Sequence, residues 1–361
     1  MESEKVTLLD CIKRIPSLIG KVLSEQEEMF ADFDRYFEAR AEKINEIVLI
    51  GSGTSNTVSV TARPFMERVS GLVVRTSYPN DCEGEGRVFN PQALYVFISQ
   101  TGTSGVVCHV MEKLSAKGFA CVSLTEGPET MLAKSSPCHI TMNCGKEEYG
   151  MRTIGYTISV LDLMLLAVRI GKIRGNISEE EVQAFTADAA KVPASHAGII
   201  SQAEQWFREN KRRMMRSDCI IFTGADECYG LALEGAVKFW EMPQVISIGY
   251  ELEEGMHGPN YGYTGRHCVI VLNDGGRQSG KALSLARYMK NELHNGYVIG
   301  AEVADDEDLK IDFASINFRV LEMSAAVQTM AYFLTIDGGR DLTKPTDHKV
   351  MYSYFSTHFG W

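Results

Sequence analysis

Residues 93–118 read ALYVFISQTGTSGVVCHVMEKLSAKG. An unbroken apolar run rich in strand-forming residues gives way to Ser99, Gln100, Thr101, Gly102, Thr103 and Ser104. A segment with helical spacing of Val107, Val110, Met111 and Leu114 follows. A continuous apolar strand entering an amphipathic helix through a short loop is the signature of a parallel sheet covered on both faces. At such a loop the first backbone N–H groups of the helix point outward, at the positive end of its dipole. A Ser/Thr N-cap accounts for one or two hydroxyls. The four present here, Ser99, Thr101, Thr103 and Ser104, suit an anion cup, most often one for phosphate.

Working outward, the same rhythm recurs in EIVLIGSGTSN (46–56), GLVVRTS (71–77) and FACVSLTEG (119–127). Residues 5–42 are charged and helix-prone, with Leu9, Ile12, Ile15 and Leu18 three or four apart. From Asn176 to Arg216 the composition becomes charged, alanine-rich helix, and the strand-helix rhythm then restarts. SDCIIFTGADECYGLALEG (217–235) echoes INEIVLIGSGTSNTVSVTA (44–62), HCVIVLNDGGRQSG (267–280) echoes LYVFISQTGTSG (94–105), and NGYVIGAEV (295–303) echoes KGFACVSLTEG (117–127). Gly51 to Gly224 and Ser99 to Asn273 give offsets of 173 and 174, the mark of an internal duplication. The expected fold class is therefore α/β: two tandem, doubly wound parallel-sheet domains. The divisions read as a helical lead-in over 1–45, a first domain over 46–175, a helical linker over 176–215, a second domain over 216–340 and a C-terminal tail over 341–361.

The two copies differ in chemistry. Where the first has SQTGTS, the second has Asn273, Asp274, Gly275, Gly276 and Arg277, and a carboxylate there repels phosphate. One phosphate site per chain is expected, in the first copy. The second carries LALEGAVKFWEMPQVISIGYELEEGMHGP (231–259), in which Glu234, Lys238 and Glu241 fall at i, i+4 and i+7 of an expected helix over 227–242. Such a group is either a solvated surface pair or, on a helix this apolar, a functional cluster kept at its inner end. His257 lies in the stiff turn EGMHGP.

Composition narrows the partners. The 36 basic and 47 acidic residues leave a charge of −11, which disfavours nucleic acid and anionic membrane as partners but not a small phosphorylated ligand. Nine cysteines without a CxxC pair suit reduced, buried thiols in a cytoplasmic protein. Eight histidines lack HxH or HxxxH spacing, so neither a metal nor another cofactor is expected. The N-terminus has no basic region leading into an apolar core. The most apolar stretch, YTISVLDLMLLAVRIG (156–171), is interrupted by Asp162, so no signal peptide or membrane span is expected.

GSGTS, ISQTGTS, ALEGAVKFWE and EEGMHGP, in that order across duplicated halves, resemble the sugar isomerase (SIS) family. The likeness is to the isomerase half of glucosamine-6-phosphate synthase and to the fructosamine-6-phosphate deglycases. The resemblance implies that Ser99, Gln100, Thr101 and Ser104, helped by Thr54 and Ser55, hold a sugar 6-phosphate. It also implies that Glu241 is the base moving a proton between C1 and C2, that Glu234 and Lys238 line the same pocket, and that His257 assists ring opening, in the synthase from a neighbouring subunit. A homodimer or higher assembly with shared sites follows.

Departures from the synthase pattern are instructive. The chain begins MESE and reaches its first strand near Ile47, so no glutaminase domain is expected ahead of it. The loop glutamate of SQSGET is Thr103, EEYGMRTIGYT (147–157) lacks the lysine of EIGVASTKAFT, and Lys349 in the tail KPTDHKVMYSYFSTHFGW (344–361) is the candidate for the sugar-linking lysine. The implied function is a deglycase or isomerase of a 6-phosphorylated ketosamine, releasing an amine and a hexose 6-phosphate. The alternatives are an amino-sugar-phosphate isomerase or deaminase, or a non-catalytic sugar-phosphate sensor.

Overall fold

The run ALYVFI forms β3 (Ala93–Ile98), buried at all six positions. Around it lie β1 (Glu46–Ile50), β2 (Val73–Ser77), β4 (Ala120–Thr125) and β5 (His139–Thr141), in the order β2-β1-β3-β4-β5 with every pairing parallel. The computed structural model describes residues 5–145, 147–344 and 349–358. These divide into two compact units, one of residues 20–145, 158–186, 344 and 349–358 and the other of residues 5–19, 147–157 and 187–343. The first holds the sheet just described. The second holds β6 (Cys219–Gly224), β7 (Ser247–Glu251), β8 (His267–Asn273), β9 (Gly296–Gly300) and β10 (Leu309–Lys310), again all parallel, in the order β7-β6-β8-β9-β10. The two sheets share one topology, so the duplication read from the offsets is a duplication of fold.

In each unit, helices bury one stripe against the sheet. Helix Gly105–Ala116 buries Val107, Cys108, Val110, Met111 and Leu114 against Ile50, Tyr95 and Phe97. In the other unit, helix Ser279–Asn291 sets Ala282, Leu285, Ala286 and Met289 against Val269, Val271 and Val298. Each large apolar side chain so buried contributes about 1.5–3 kcal/mol.

The corner from first strand to first helix repeats almost atom for atom. A Cβ on Gly51 would lie 2.7 Å from Ser55 Cβ, and one on Gly224 would lie 2.7 Å from Cys228 Cβ, so only glycine lets the helix start this close to the strand. Two residues on, Gly53 has φ 58° and ψ −130°, while its counterpart Asp226 holds φ 52° and ψ −125°. An aspartate in glycine's conformation is strained by roughly 1–3 kcal/mol. Strand order reverses between β1 and β3 and between β6 and β8, the positions where open α/β sheets take their ligands.

Some elements differ from the expectation. The lead-in helix runs Leu8–Glu38 and the helix of Glu234 runs Glu227–Glu241, Met242 being its C-cap. Strands β5, β7 and β10 had no signal in the sequence: two are only two or three residues long, and β7 is a half-exposed edge strand containing glycine. Helix Ile154–Ile173 alone among the described residues is long and apolar enough to cross a membrane, and its most apolar 18 residues are buried. At its middle, Asp162 has no hydrogen-bond partner on either carboxylate oxygen among the described residues. Burial pushes its pKa well above the ordinary value.

Asp188, near the end of helix Glu179–Ala189, holds the loop Ser315–Asn317 that precedes helix Arg319–Asp337. Its carboxylate accepts the N–H groups of Ile316 and Asn317, the Ser315 hydroxyl and the Asn317 amide, and pairs with Lys191 at 3.1 Å. Burial alone would raise its pKa, but the Asn317 and Ile316 N–H groups with Lys191 bring it down to about 2. A depressed folded pKa stabilises the protein above the unfolded value of 3.8, and the contribution is lost as pH falls toward 2. Asp188→Asn should therefore lower stability by about 2 kcal/mol at neutral pH. Urea unfolding of the two proteins should converge between pH 4 and pH 2; a gap that stays constant with pH would contradict the assignment.

Candidate active site

The hydroxyl loop is held by backbone bonds that leave its side chains to other uses. Ser99 N–H donates to Leu124 C=O (3.1 Å), Gly102 N–H to Ser99 C=O (2.9 Å), Glu126 N–H to Gln100 C=O (2.8 Å) and Leu132 N–H to Gly102 C=O (3.1 Å). Ser104 is the N-cap of helix Gly105–Ala116, yet its hydroxyl makes no capping bond, and Gly53 precedes Thr54 and Ser55 at the start of helix Thr54–Ser70. The capping explanation for the hydroxyls therefore fails at both helices. Ser99 is buried, and Thr54, Ser55, Gln100, Thr101 and Ser104 are half-buried. Thr101 and Thr103 join their hydroxyls at 2.9 Å.

The C-terminal tail reaches this loop in the same unit. His358 forms an antiparallel bridge with Ser104, Gly105 N–H donates to Thr357 C=O (3.0 Å), and His358 Nδ1 lies 3.1 Å from Thr103 Oγ1. Sequence reasoning singled out Lys349, which opens the short exposed helix Lys349–Tyr352. It passed over His358, because a histidine in a polar tail carries no spacing signal.

In the other unit, Glu234, Lys238 and Glu241 come together on one face of helix Glu227–Glu241. Lys238 Nζ lies 3.3 Å from Glu234 Oε1 and 2.5 Å from Glu241 Oε2. The side chains of Lys238 and Glu234 are 0 % and 1 % exposed and that of Glu241 is 37 % exposed. This is not a solvated surface pair: two charges are sealed in and one carboxylate remains open. Burial acts to lower the Lys238 pKa, but the charges of Glu234 and Glu241, with a smaller contribution from Glu147, outweigh it and hold the ammonium above its ordinary value. Glu147 itself caps helix Ile154–Ile173, accepting from the N–H groups of Thr153 (2.6 Å), Ile154 (3.0 Å) and Gly155 (3.1 Å).

His257 stands apart. Its ring Nδ1 is 2.9 Å from Glu253 C=O and 3.6 Å from the Glu253 carboxylate, its side chain is 68 % exposed, and among the described residues no hydrogen bond or ion pair joins it to the three residues of the helix. At the counterpart of the hydroxyl loop, protein carboxylates fill the position. Ser279 Oγ donates to Glu302 Oε2 (2.5 Å) at the start of helix Ser279–Asn291, and Asp274 Oδ1 accepts Gly276 N–H (2.8 Å). An anion entering there would meet negative charge.

Residues 42–169 match the SIS domain family. The chain is similar over 341 residues, at 24 % identity, to glutamine–fructose-6-phosphate aminotransferase (isomerizing) of Gloeobacter violaceus, covering 92 % of this chain and 54 % of that protein. The chain thus spans about half the length of the curated relatives it matches. It shares its fold with the C-terminal domain of glucosamine-fructose-6-phosphate aminotransferase from Francisella tularensis (TM-score 0.86, 18 % identity, 95 % of this chain and 99 % of that one). It also shares it with tagatose-6-phosphate ketose/aldose isomerase from Escherichia coli (TM-score 0.74, 16 % identity, 94 % and 96 %).

Breaking the buried pair should expose its cost. Lys238→Met removes the ammonium beside the enclosed Glu234, which should destabilise the protein by about 3–5 kcal/mol, whereas adding Glu234→Leu should recover most of the loss. Urea midpoints for wild type, single and double variants test this; a single variant as stable as wild type would refute the pairing.

Proposed function

We propose that this SIS-domain protein is a deglycase acting on a 6-phosphorylated ketosamine. The observation that carries the reading is the enclosure of Lys238 between two carboxylates, of which only Glu241 is open to a ligand. A buried ion pair contributes little to stability compared with apolar residues of the same size, so its presence beside an accessible carboxylate is better explained by chemistry than by folding.

In this reading the hydroxyls of Ser99, Thr101 and Ser104, with Gln100, Thr54 and Ser55, bind the 6-phosphate. His257 assists ring opening. Glu241 takes a proton from C1 and returns it at C2, while O2 gains a proton and the amine nitrogen loses one, converting the ketosamine into an aldose imine. Water then hydrolyses the imine to hexose 6-phosphate and free amine. Lys238 offsets negative charge that develops on the sugar oxygens during transfer. Proton transfer of this kind requires no metal or organic cofactor. The exposure of His257 and its lack of any bond to Glu241 support its supply from a neighbouring copy, hence a homodimer or higher assembly. Nine cysteines, eight of them buried, support a reducing, cytoplasmic setting.

Release of glucose 6-phosphate and amine from fructosamine 6-phosphate is the expected result, with solvent deuterium at C2 of the released sugar phosphate and exchanged into C1 of unreacted substrate. Ammonia release from glucosamine 6-phosphate instead would mark a deaminase, and no turnover or exchange with either would favour a sugar-phosphate sensor. Glu241→Gln should lower the exchange rate by about 10²–10⁴-fold, and His257→Ala should be milder, least harmful with substrates that already populate the open chain. Ser99→Ala combined with Ser104→Ala should leave kcat nearly intact and raise KM strongly, each lost charge-assisted hydrogen bond being worth roughly 1.5–3 kcal/mol. Normal affinity of the double variant for phosphorylated substrate would rule out the phosphate cup.

A further inference from the structure

Glu241 is the last residue of its helix, an awkward place for a base. The final carbonyls of a helix have no partner within it and carry its negative pole, which disfavours a carboxylate and lets the end fray. Immediately beyond, Met242 N–H closes onto Lys238 C=O at 2.9 Å, and Gln244 adopts φ 58°, turning the chain away. Within the helix, Lys238 holds the side chain of this terminal residue.

A second restraint comes from another segment of the same unit. Arg340 follows helix Arg319–Asp337, its own N–H fixed to Thr335 C=O at 3.1 Å. Its Nη1 donates to Glu241 C=O at 2.5 Å and also to Met242 C=O. Its guanidinium thus occupies the negative pole of the helix that carries Glu241, while Lys238 Nζ holds the Glu241 carboxylate at 2.5 Å. One cation fixes the backbone of this residue and the other its side chain.

We infer that Arg340 is the positioning residue for Glu241, setting where the carboxylate stands without touching the substrate. The inference rests on the reading of Glu241 as the base. A planar guanidinium can serve two adjacent carbonyls in one geometry, which an ammonium on a flexible stem reproduces only in part. A plain C-cap would stabilise the helix end and do nothing specific to proton transfer.

The experiment compares Arg340→Ala, Arg340→Lys and Glu241→Gln for deuterium exchange at C1 of fructosamine 6-phosphate, with unfolding midpoints measured alongside. Arg340→Ala should lose exchange rate by on the order of 10²-fold, the scale of a misplacement of about 1 Å, with KM unchanged. Arg340→Lys should fall between it and wild type, and added guanidinium should restore part of the Arg340→Ala rate. If Glu241→Gln is inactive while Arg340→Ala exchanges at the wild-type rate, or loses only KM, the positioning role is overturned and the base assignment stands. If Glu241→Gln exchanges normally, the base assignment fails and this inference with it. Should Arg340→Ala fail to fold, Arg340→Lys decides: a wild-type rate overturns the role, and a lowered kcat at unchanged KM supports it.

Discussion

A lysine ammonium with no exposure to water organises the chemistry of the second unit. Removing such a charge from solvent costs several kcal/mol unless opposite charge stands beside it, and Lys238 meets that demand with residues four before and three after it on its own helix. Both of these partners lie on the same helix, and Glu147 adds a smaller contribution from another segment. The arrangement constrains the helix strongly: the face bearing the three residues must turn inward far enough to cover Lys238 and Glu234, yet leave Glu241 at the rim. Apolar residues elsewhere on the helix, Leu231, Ala232 and Phe239 among them, fix that rotation by burial. The ion group therefore takes its orientation from the core and lends the rim residue its electrostatic surroundings.

The two copies show how one backbone supports opposite chemistries. Strand order, the glycine at the first corner and the unusual dihedral angles two residues later are held in common. What differs is the side chains placed at the two switch points. In the first copy, the hydroxyl residues Ser99, Thr101, Thr103 and Ser104 stand at the end of β3. In the second, Glu302 and Asp274 accept the protein's own donors. A parallel sheet presents helix N-termini wherever its order reverses, and filling one with an internal carboxylate silences it without altering the fold.

Legibility followed sequence distance. β3, the hydroxyl loop and the alternating strands and helices could be read because each signal lies within a dozen residues, and the i, i+4, i+7 spacing of Glu234, Lys238 and Glu241 sufficed to put them on one face. Arg340 could not be found this way: it meets Glu241 across 99 positions, through a backbone carbonyl that leaves no trace in residue type. His358 on the hydroxyl loop and Glu302 in the second cup were missed for the same reason. Asp274 was legible because it replaces a residue within an aligned repeat. Strands β5 and β10 were too short to carry a period.

Asp162 imposes a cost on its helix, since burial drives its carboxyl toward the neutral form and no hydrogen bond compensates among the described residues. The same helix, Ile154–Ile173, leaves the ribosome with an 18-residue stretch of mean hydropathy 1.6 before the packing around it exists. At that stage the aspartate is ionised in water, and at the centre of an apolar segment it raises the cost of insertion into a bilayer by about 3 kcal/mol. A residue that weakens the finished core thus helps to keep the nascent chain out of lipid.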